Sequence, residues 1–351
     1  MRIRLEKREY ESKLLSVGVS FLMLFLALLA VAIIFWAYGV NPAVAYGKIF
    51  RGAFGSLYGF SETIVKAIPL LLCGIGLTLA FKALIWNIGA EGQLLIGAVA
   101  ATGIALNLAA PSYVILPLMF AAGFVAGAAW SLLPAILKAK LNVNEVITTL
   151  MLNYIALKLV EYLVYGPWRG PEEWGFPYTS KFPPEARLPR IPGTRIHYPT
   201  LIIGVIAVVA TYILLNKTKI GYEIRVVGEN IDAARYAGIN YLKTVLLVMV
   251  VSGGLAGIAG VGEVAGIQHR LRMGISPGYG YTAIIVAWLG GLNPWVTLAS
   301  SILLGGLLVG GDIIQTSLGL PVAAIDIFNG IILIFIIAGE ILKRYKIRIV
   351  R

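Results

Sequence analysis

The chain alternates long apolar segments with short polar connections, and this pattern predicts its secondary structure. Ten segments are nearly free of charged residues, and most approach the roughly 20 residues that a helix needs to cross a bilayer. Backbone polar groups inside lipid must be bonded within their own segment, so we predict helices. The segments span approximately residues 14–40, 63–85, 92–110, 112–137, 145–165, 200–216, 243–263, 281–292, 296–312 and 322–342.

Two of these segments, 281–292 and 296–312, are shorter than a full crossing requires. Three interpretations stay open: the helices are tilted, they extend beyond these limits, or they form a re-entrant pair. The first segment is longer than the apolar core of a signal peptide, which has about 7–15 residues. We therefore interpret it as a retained first helix.

The composition supports an integral membrane protein. Hydrophobic residues make up 59% of the chain, charged residues only 13%, and the mean hydropathy is +0.86, whereas soluble domains carry about 25% charge. The single cysteine, Cys73, and the two histidines, His197 and His269, are too few for a disulfide framework or a cysteine- or histidine-rich metal site. We expect this chain to bind no cofactor and no metal itself.

The distribution of basic residues predicts the topology. With the N-terminus inside and ten crossings, eighteen of the 29 Lys and Arg residues lie on the cytoplasmic side and ten outside, as the positive-inside rule requires. The prediction is an all-α polytopic membrane protein, N-in and C-in. It has a cytoplasmic N-terminus (1–13), a single transmembrane domain (14–342) and a cytoplasmic tail (343–351). Because the basic charge is spread over several loops, we expect no nucleic-acid partner.

The longest external loop, residues 166–199, contains eight of the sixteen prolines. Proline fixes φ and removes a hydrogen-bond donor, so irregular extended backbone is expected there. Two interpretations have equal weight: a passive connector, or a docking or gating surface for an extracytoplasmic partner. Beyond it, Arg270 and Arg272 are candidate contacts for that partner, although charges at a water-exposed turn are an equal alternative.

The polar stretch VVGENIDAARYAGIN (226–240) interrupts the apolar pattern between the sixth and seventh spans, inside the cytoplasmic loop 217–242. Asn230 is a favourable helix N-cap, Asp232 would lie in the first turn, and Gly238 is a natural stop. The stretch therefore predicts a helix of about two turns.

Such a short helix is marginal in water on its own. It must be held either by its own membrane domain or by a groove in a partner. Small side chains at Ala233, Ala234 and Ala237 would let another surface come close. The alternative is an ordinary cytoplasmic loop.

The same stretch resembles the coupling loop of permease subunits in ATP-binding-cassette (ABC) importers for nucleosides, simple sugars and branched-chain amino acids. WNIGAEGQLLIGA (86–98), NEVITTLMLNYIA (144–156) and PGYGYTAIIVAWLGGLNP (277–294) resemble this family too, and the long external loop is most like nucleoside-type permeases. The resemblance implies that a partner ATPase contacts Gly228, Glu229, Asn230, Asp232, Ala234, Arg235 and Gly238.

The resemblance also implies the partners: ABC ATPase subunits, a second homologous permease subunit and an extracytoplasmic substrate-binding protein, assembled in the cell membrane. No G-x-x-x-x-G-K-[ST] phosphate loop occurs in the sequence. We therefore expect a translocation subunit rather than an enzyme, with ATP and Mg bound by the partner subunits. The predicted substrate is a nucleoside; a ribose-like sugar or a branched-chain amino acid is the alternative within the family.

Two other classes of protein remain as alternatives. An ion-coupled secondary transporter is disfavoured because intramembrane acids are sparse. A serine hydrolase built on Ser276 and His269 has a formal G-x-S-x-G match at residues 274–278, but the strand–turn–helix context of that motif is missing.

Glycines at 89 and 92 predict a helix break between two apolar runs, since glycine costs about 1 kcal/mol relative to alanine in a helix. Polar side chains at such a break either face a cavity, and so contact a sugar or base, or pin neighbouring helices. Candidate gate or substrate-path residues are Asn87, Glu91, Gln93, Glu145 and Asn153. Lys158 and Glu161 have the spacing of an ion pair, and the GxxxG spacings, such as Gly123–Gly127 and Gly253–Gly257, predict close helix packing.

Overall fold

The computed structural model describes residues 2–7, 13–172 and 175–321, with parts of the C-terminal region (327–328, 330–332, 334–335, 338–339, 342 and 345–350). The described chain is mostly helical, as predicted. Its helices are α1 (Lys13–Ala37), α2 (Pro42–Phe54), α3 (Leu57–Lys82), α4 (Ala90–Asn107), α5 (Ser112–Leu141), α6 (Glu145–Tyr165), α7 (Tyr198–Lys217), α8 (Lys219–Glu229), α9 (Ile231–Tyr236), α10 (Tyr241–Val261), α11 (Tyr279–Leu289) and α12 (Pro294–Leu318). The last predicted segment, 322–342, lies largely outside the described residues.

Six of the described helices are long and apolar enough to cross a membrane, namely α3, α5, α6, α7, α12 and α10 with its extension to Gln268. The count rises to seven if the bent pair of α1 and α2 forms one span. The predicted count of ten is therefore not confirmed. Helix α4 has only 18 residues and includes Glu91, Gln93 and Asn107, which lowers its hydropathy.

The two short predicted segments have different outcomes. Helix α12 extends beyond the predicted limits on both sides and reaches 25 residues. Helix α11 has only 11 residues, about 16 Å at 1.5 Å per residue, which is about half the hydrocarbon thickness. The apolar run 281–292 is thus a half-length helix that begins after the irregular segment 269–278.

Helix α2 was missed by the sequence analysis. The axis turns by 115° between residues 21–37 of α1 and α2. The side chain of Asn41 caps α2 by accepting a hydrogen bond from the Ala43 amide at 2.9 Å. Helix α2 contains Lys48 and Arg51, so it has no long apolar run that would have predicted it.

The prediction of an all-α chain needs one correction, because two strands pair near the termini. Strand β1 (Arg2–Lys7) runs antiparallel to strand β2 (Tyr345–Val350), with Arg2 opposite Val350 and Lys7 opposite Tyr345. Both sequences alternate apolar and polar residues, RIRLEK and YKIRIV, which is the period of a strand. From the sequence, the basic residues of these two segments indicated only the topology.

The chain divides into two compact units, Met1–Phe60 with Gly306–Arg351, and Ser61–Gly305. In the first unit the Phe35 and Phe328 rings stack at 6.5 Å. In the second, α4, α5 and α10 pack at very short distances: a Cβ on Gly127 would lie 2.2 Å from the Gly253 carbonyl oxygen. The predicted packing role of these GxxxG glycines is confirmed, since a larger side chain would separate the helices.

Candidate functional site: a capped helix on a buried helix break

The predicted short helix at residues 230–238 is confirmed as α9. The Asn230 side-chain oxygen accepts hydrogen bonds from the amides of Asp232 (2.8 Å) and Ala233 (3.0 Å). At the other end, Gly238 has φ +75° and donates to the Arg235 carbonyl at 3.0 Å. The sequence did not predict α8, which precedes α9 and meets it at Asn230.

Helix α9 is held by its own membrane domain, one of the two possibilities that the sequence left open. Ala234 is completely buried, in a cluster that includes Ala83, Ile85 and Ile239. The small side chain of Ala234 therefore lets α9 pack closely against its own chain, and it is not available to a partner protein.

The surface of α8 and α9 that faces away from the rest of the chain is exposed and partly apolar. Tyr236 is 99% exposed, and Ile231, Ile220 and Tyr222 are also exposed. The ion pair between Asp232 and Arg235 has an N–O distance of 3.9 Å with both side chains largely in solvent, so its contribution to stability is small. Sequence reasoning missed Tyr236, because a single exposed tyrosine has no periodic signal.

Helix α8 rests directly on the end of α3. A Cβ on Gly228 would lie 2.0 Å from the Lys82 carbonyl oxygen, so only glycine allows this approach. A cavity of about 390 Å³ is lined by residues of the α8–α9 junction and by residues 83–85. Its lining comprises Ala83, Leu84, Ile85, Lys138, Val227, Gly228, Glu229, Asn230, Ile231, Asp232 and Tyr241.

Between α3 and α4 the backbone at residues 83–89 is not helical, so the predicted break is confirmed at Gly89, whereas Gly92 lies inside α4. Leu84 has φ +54°. The Asn87 carboxamide is buried, donates to Gln93 Oε1 and Ser252 Oγ at 3.0 Å each, and accepts from the Gly89 amide at 3.0 Å. Asn87 thereby ties the break to α4 and α10.

The side chain of Asn153, on α6, supports the same break. Its oxygen accepts from the Gly92 amide at 2.8 Å, and its nitrogen donates to the Ile88 carbonyl at 2.9 Å and to the Tyr281 hydroxyl at 3.1 Å. Thr149, which the sequence analysis did not select, accepts from the Ile88 amide at 3.2 Å. Side chains of α6 thus satisfy backbone groups that no helix satisfies.

Glu91 lies where the start of α4 meets the start of α11. Its Oε2 accepts a hydrogen bond from the Gly280 amide at 2.8 Å, and a Cβ on Gly280 would lie 2.2 Å from the Glu91 backbone nitrogen. A carboxylate at a helix N-terminus interacts favourably with the helix dipole. Glu91 therefore stabilises the start of the half-length helix α11.

Glu145 binds the break on the side of α8 and α9. It forms an ion pair with Lys138 at 3.0 Å, and its Oε1 is 3.4 Å from the Trp86 amide, which donates to it. The Trp86 ring lies 5.5 Å from the Trp288 ring and 5.4 Å from the Phe81 ring. This aromatic cluster links α3, the break and the end of α11. All five candidate gate or substrate-path residues are thus at the break. Asn87 lies within it, and Glu91 follows it at the start of α4. Gln93, Glu145 and Asn153 form hydrogen bonds with it.

The long proline-rich loop folds back on the segment that follows α10. The Thr179 amide donates to the Leu271 carbonyl at 3.0 Å, and the Arg270 guanidinium lies 4.6 Å from the Tyr178 ring centroid. Tyr178 also forms an isolated β-bridge with Arg272. The two predicted partner-contact arginines are therefore next to this loop.

Arg190 of the loop binds the π-helix Gly262–Gln268, which the sequence did not predict. Its Nε donates to the Gly266 carbonyl at 2.9 Å, and its Nη2 is 2.6 Å from His269 Nε2. Burial and the Arg190 charge lower the pKa of His269. The neutral ring then accepts from Arg190 at Nε2 and donates from Nδ1 to the Ala265 carbonyl at 2.9 Å.

The hydrolase alternative does not fit this geometry. The Ser276 hydroxyl oxygen accepts from the amides of Gly278 (3.2 Å) and Tyr279 (3.0 Å) at the start of α11, and His269 is engaged with Arg190. Among the described residues, no group of three His, Cys, Asp or Glu side chains could hold a metal ion.

Comparison with known proteins identifies the family. Residues 59–337 match the family described as branched-chain amino acid transport system / permease component. The chain is 38% identical to the glucose ABC transporter permease protein TsgB13 of Haloferax volcanii, over 99% of this chain and 94% of that protein. It is 34% identical to the guanosine ABC transporter permease protein NupP of Bacillus subtilis (93% and 94%) and 28% identical to NupQ of the same organism (69% and 78%).

The family match covers most of the chain and runs from the first turn of α3 through α12, so it includes the break and helices α8 and α9. The resemblance stated from the sequence is confirmed. The chain belongs to the branched-chain amino acid transport system / permease component family and is a multi-pass membrane permease subunit of an ABC importer.

Proposed function

We propose that this permease imports nucleosides. The observation that carries the proposal is its similarity to NupP, a guanosine permease, over nearly the full length of both proteins. A monosaccharide is the second candidate, because the glucose permease TsgB13 is similar over an even larger share of this chain. Both ligand types contain a ring with several hydroxyl groups.

The test is uptake by the reconstituted complex with radiolabelled guanosine, uridine, glucose and leucine. We expect ATP-dependent uptake of the two nucleosides, and no uptake when ATP is withheld. Uptake of glucose alone would replace the proposal with the second candidate. Uptake driven by an ion gradient without ATP would contradict an ABC mechanism.

We propose that the partners are two ATPase subunits, which bind ATP and Mg, a second homologous permease, and an extracytoplasmic binding protein. The guanosine permeases NupP and NupQ of one organism are both similar to this chain, which supports pairing with a related subunit. The distribution of Lys and Arg supports N-in and C-in insertion in the cell membrane.

The ATPase contact in this proposal is the surface of α8 and α9. Gly228, Asn230 and Gly238 shape these helices, while Glu229, Asp232 and Arg235 provide exposed charge. Closure of the ATPases would press α8 against the end of α3 through the Gly228–Lys82 contact. ATP can shift the permease between two states only by binding them with different affinity.

The movement would reach the helix break next. Residues 83–89 contact α6 through Asn153 and Thr149, and Glu91 connects the start of α4 to α11. We propose that this network acts as the gate, with α11 shifting as the break changes shape. Arg270 and Arg272, beside the ordered proline-rich loop, are the proposed contacts for the binding protein.

A further inference from the structure

Helix α6 carries a polar stripe on its exposed side, formed by Tyr154, Lys158, Glu161 and Tyr165. Their spacings of four, three and four residues place them on one face. Tyr154 is 57% and Tyr165 54% exposed. The opposite face of α6 is buried and includes Ala156, Val160 and Val164.

An ion pair lies in the middle of this stripe. Lys158 Nζ and Glu161 Oε2 are 2.6 Å apart, with 75% and 33% of their side chains exposed. Lys158 lies about 20 Å along α6 from Glu145, and Tyr165 about 10 Å further, at 1.5 Å per residue. The pair is therefore within the depth of a hydrocarbon core of about 30 Å.

Lipid is an unfavourable neighbour for this face. Charged side chains in spanning helices face a water-filled cavity or the interior of a bundle, and the described chain exposes this pair instead of burying it. Asn153 lies on the buried side of the same helix, about 100° around it from Tyr154, and binds both Ile88 and Tyr281, so α6 carries both the stripe and the contacts to the break.

We propose that the stripe lines the water-filled substrate path and binds the substrate, an uncharged ring with several hydroxyl groups. The ammonium donates and the carboxylate accepts hydrogen bonds from hydroxyl or amide edges. The two phenol rings supply flat surfaces for a base or a sugar face. Because the pair is neutral overall, an uncharged ligand is matched without an unpaired charge. The assignment of ligand class rests on the proposed function.

The sequence offers a sharp accessibility test, since its single cysteine, Cys73, is fully buried. In a Cys73→Ser background, Tyr154→Cys and Lys158→Cys are each introduced into the full complex in right-side-out vesicles. The matched control is Ile155→Cys: Ile155 is 54% exposed, nearly the same as Tyr154, but lies about 100° around the helix. A membrane-impermeant thiol reagent is added from outside, with and without guanosine or glucose.

We expect both stripe cysteines to react at least about tenfold faster than Ile155→Cys, and the transported ligand to slow the labelling of Tyr154→Cys, which keeps the Lys158–Glu161 pair, at least about threefold. Rates equal to the control would overturn the proposal, showing a face covered by lipid or by a second permease. Fast labelling that no ligand slows would overturn the binding role.

Comparing guanosine with glucose in the labelling experiment tests this inference separately from the proposed function. Protection by glucose but not guanosine, with matching uptake, would refute nucleoside import and support the stripe as the binding site. As an independent measurement, the Lys158→Met/Glu161→Leu double variant should lose at least about tenfold in uptake while keeping its folded yield. Normal uptake by that variant would contradict the inference.

Discussion

Two interruptions of helical structure meet in this molecule, and they satisfy their backbone groups in different ways. At the α8–α9 junction, Asn230 caps the amides of residues two and three positions further along the chain. At the break of residues 83–89, Thr149 and Asn153 bind the amide and the carbonyl of Ile88 from 61 and 65 residues away. The Asn87 side chain caps the Gly89 amide and is itself bound by Ser252, 165 residues further along the chain. The first interruption is a local structure, and the second exists only in the folded bundle.

This difference has a functional consequence. A locally capped helix can move as a unit, because its internal bonds travel with it. A break bonded to α6, α10 and, through Glu91, α11 must change several contacts together when it moves. In the proposed mechanism, the capped helix would be the element that the ATPases move, and the break, with its several linked contacts, would be the gate that changes between two states.

The strongest test of the contrast is Asn87→Leu. The change removes the partner of Gln93, Ser252 and the Gly89 amide inside the bundle. Leaving buried polar groups unsatisfied costs about 1–3 kcal/mol each, so we expect a loss of about 3 kcal/mol or more. Thermal unfolding of the purified protein in detergent measures it.

The control for this substitution is Asn107→Leu, at the end of helix α4. Asn107 is exposed and donates only to the Gly103 carbonyl within its own helix. Its replacement should change the unfolding temperature little. Equal effects of the two substitutions would show that the long-range network does not stabilise the break.

The contrast between local and long-range bonds also explains which features could be predicted from the sequence. The cap at Asn230, the stop at Gly238 and the Lys158–Glu161 pair depend on neighbours a few residues away, and all three are confirmed. The break itself was predicted from its glycines. Of its partners, Asn153 was among the candidates, but Ser252 and Thr149 were not, because they are ordinary hydroxyl residues until folding brings them to the break.

The strand pair and α2 were missed for a related reason. Alternating RIRLEK becomes a strand only because YKIRIV, more than 330 residues later, provides its partner. Similarly, the apolar segment 281–292 resembled a crossing, and only the contact between Gly280 and Glu91 shows that α11 starts inside the bundle.

The connection between the two regions can be broken with Gly228→Ala. The added Cβ would meet the Lys82 carbonyl oxygen at 2.0 Å, so the backbones must separate. Overpacking of this kind costs about 1–3 kcal/mol. We expect ATPase stimulation by substrate to fall in the reconstituted complex, together with a lower unfolding temperature. Gly47→Ala on α2, which has no atom within 4 Å of the new Cβ, should leave both quantities unchanged or slightly higher.

The exposed surface of α8 and α9 can be tested without disturbing the fold by the substitution Tyr236→Ala. This side chain is 99% exposed, so the unfolding temperature should not change. Exposed aromatic residues are frequent hot spots of interfaces, and we expect about tenfold weaker binding of the ATPase subunits to proteoliposomes. Tyr113→Ala removes another tyrosine with 80% exposure at the start of α5 and should leave binding intact. A bulky residue at Ala234 would be a poorer test, because that position is buried.

The smallest expected effect separates local capping from contact with the partner. Asn230→Ala removes two hydrogen bonds from the start of α9 and should cost about 1 kcal/mol of helix stability. Asn230→Asp keeps an oxygen that accepts the same two amides. If capping is the function of Asn230, Asp should retain most ATPase stimulation and Ala should lose part of it, as measured in the reconstituted complex at equal protein amounts. Equal losses in both variants would instead mean that the amide nitrogen of Asn230 contacts the ATPase, and the local character of this interruption would no longer explain its role.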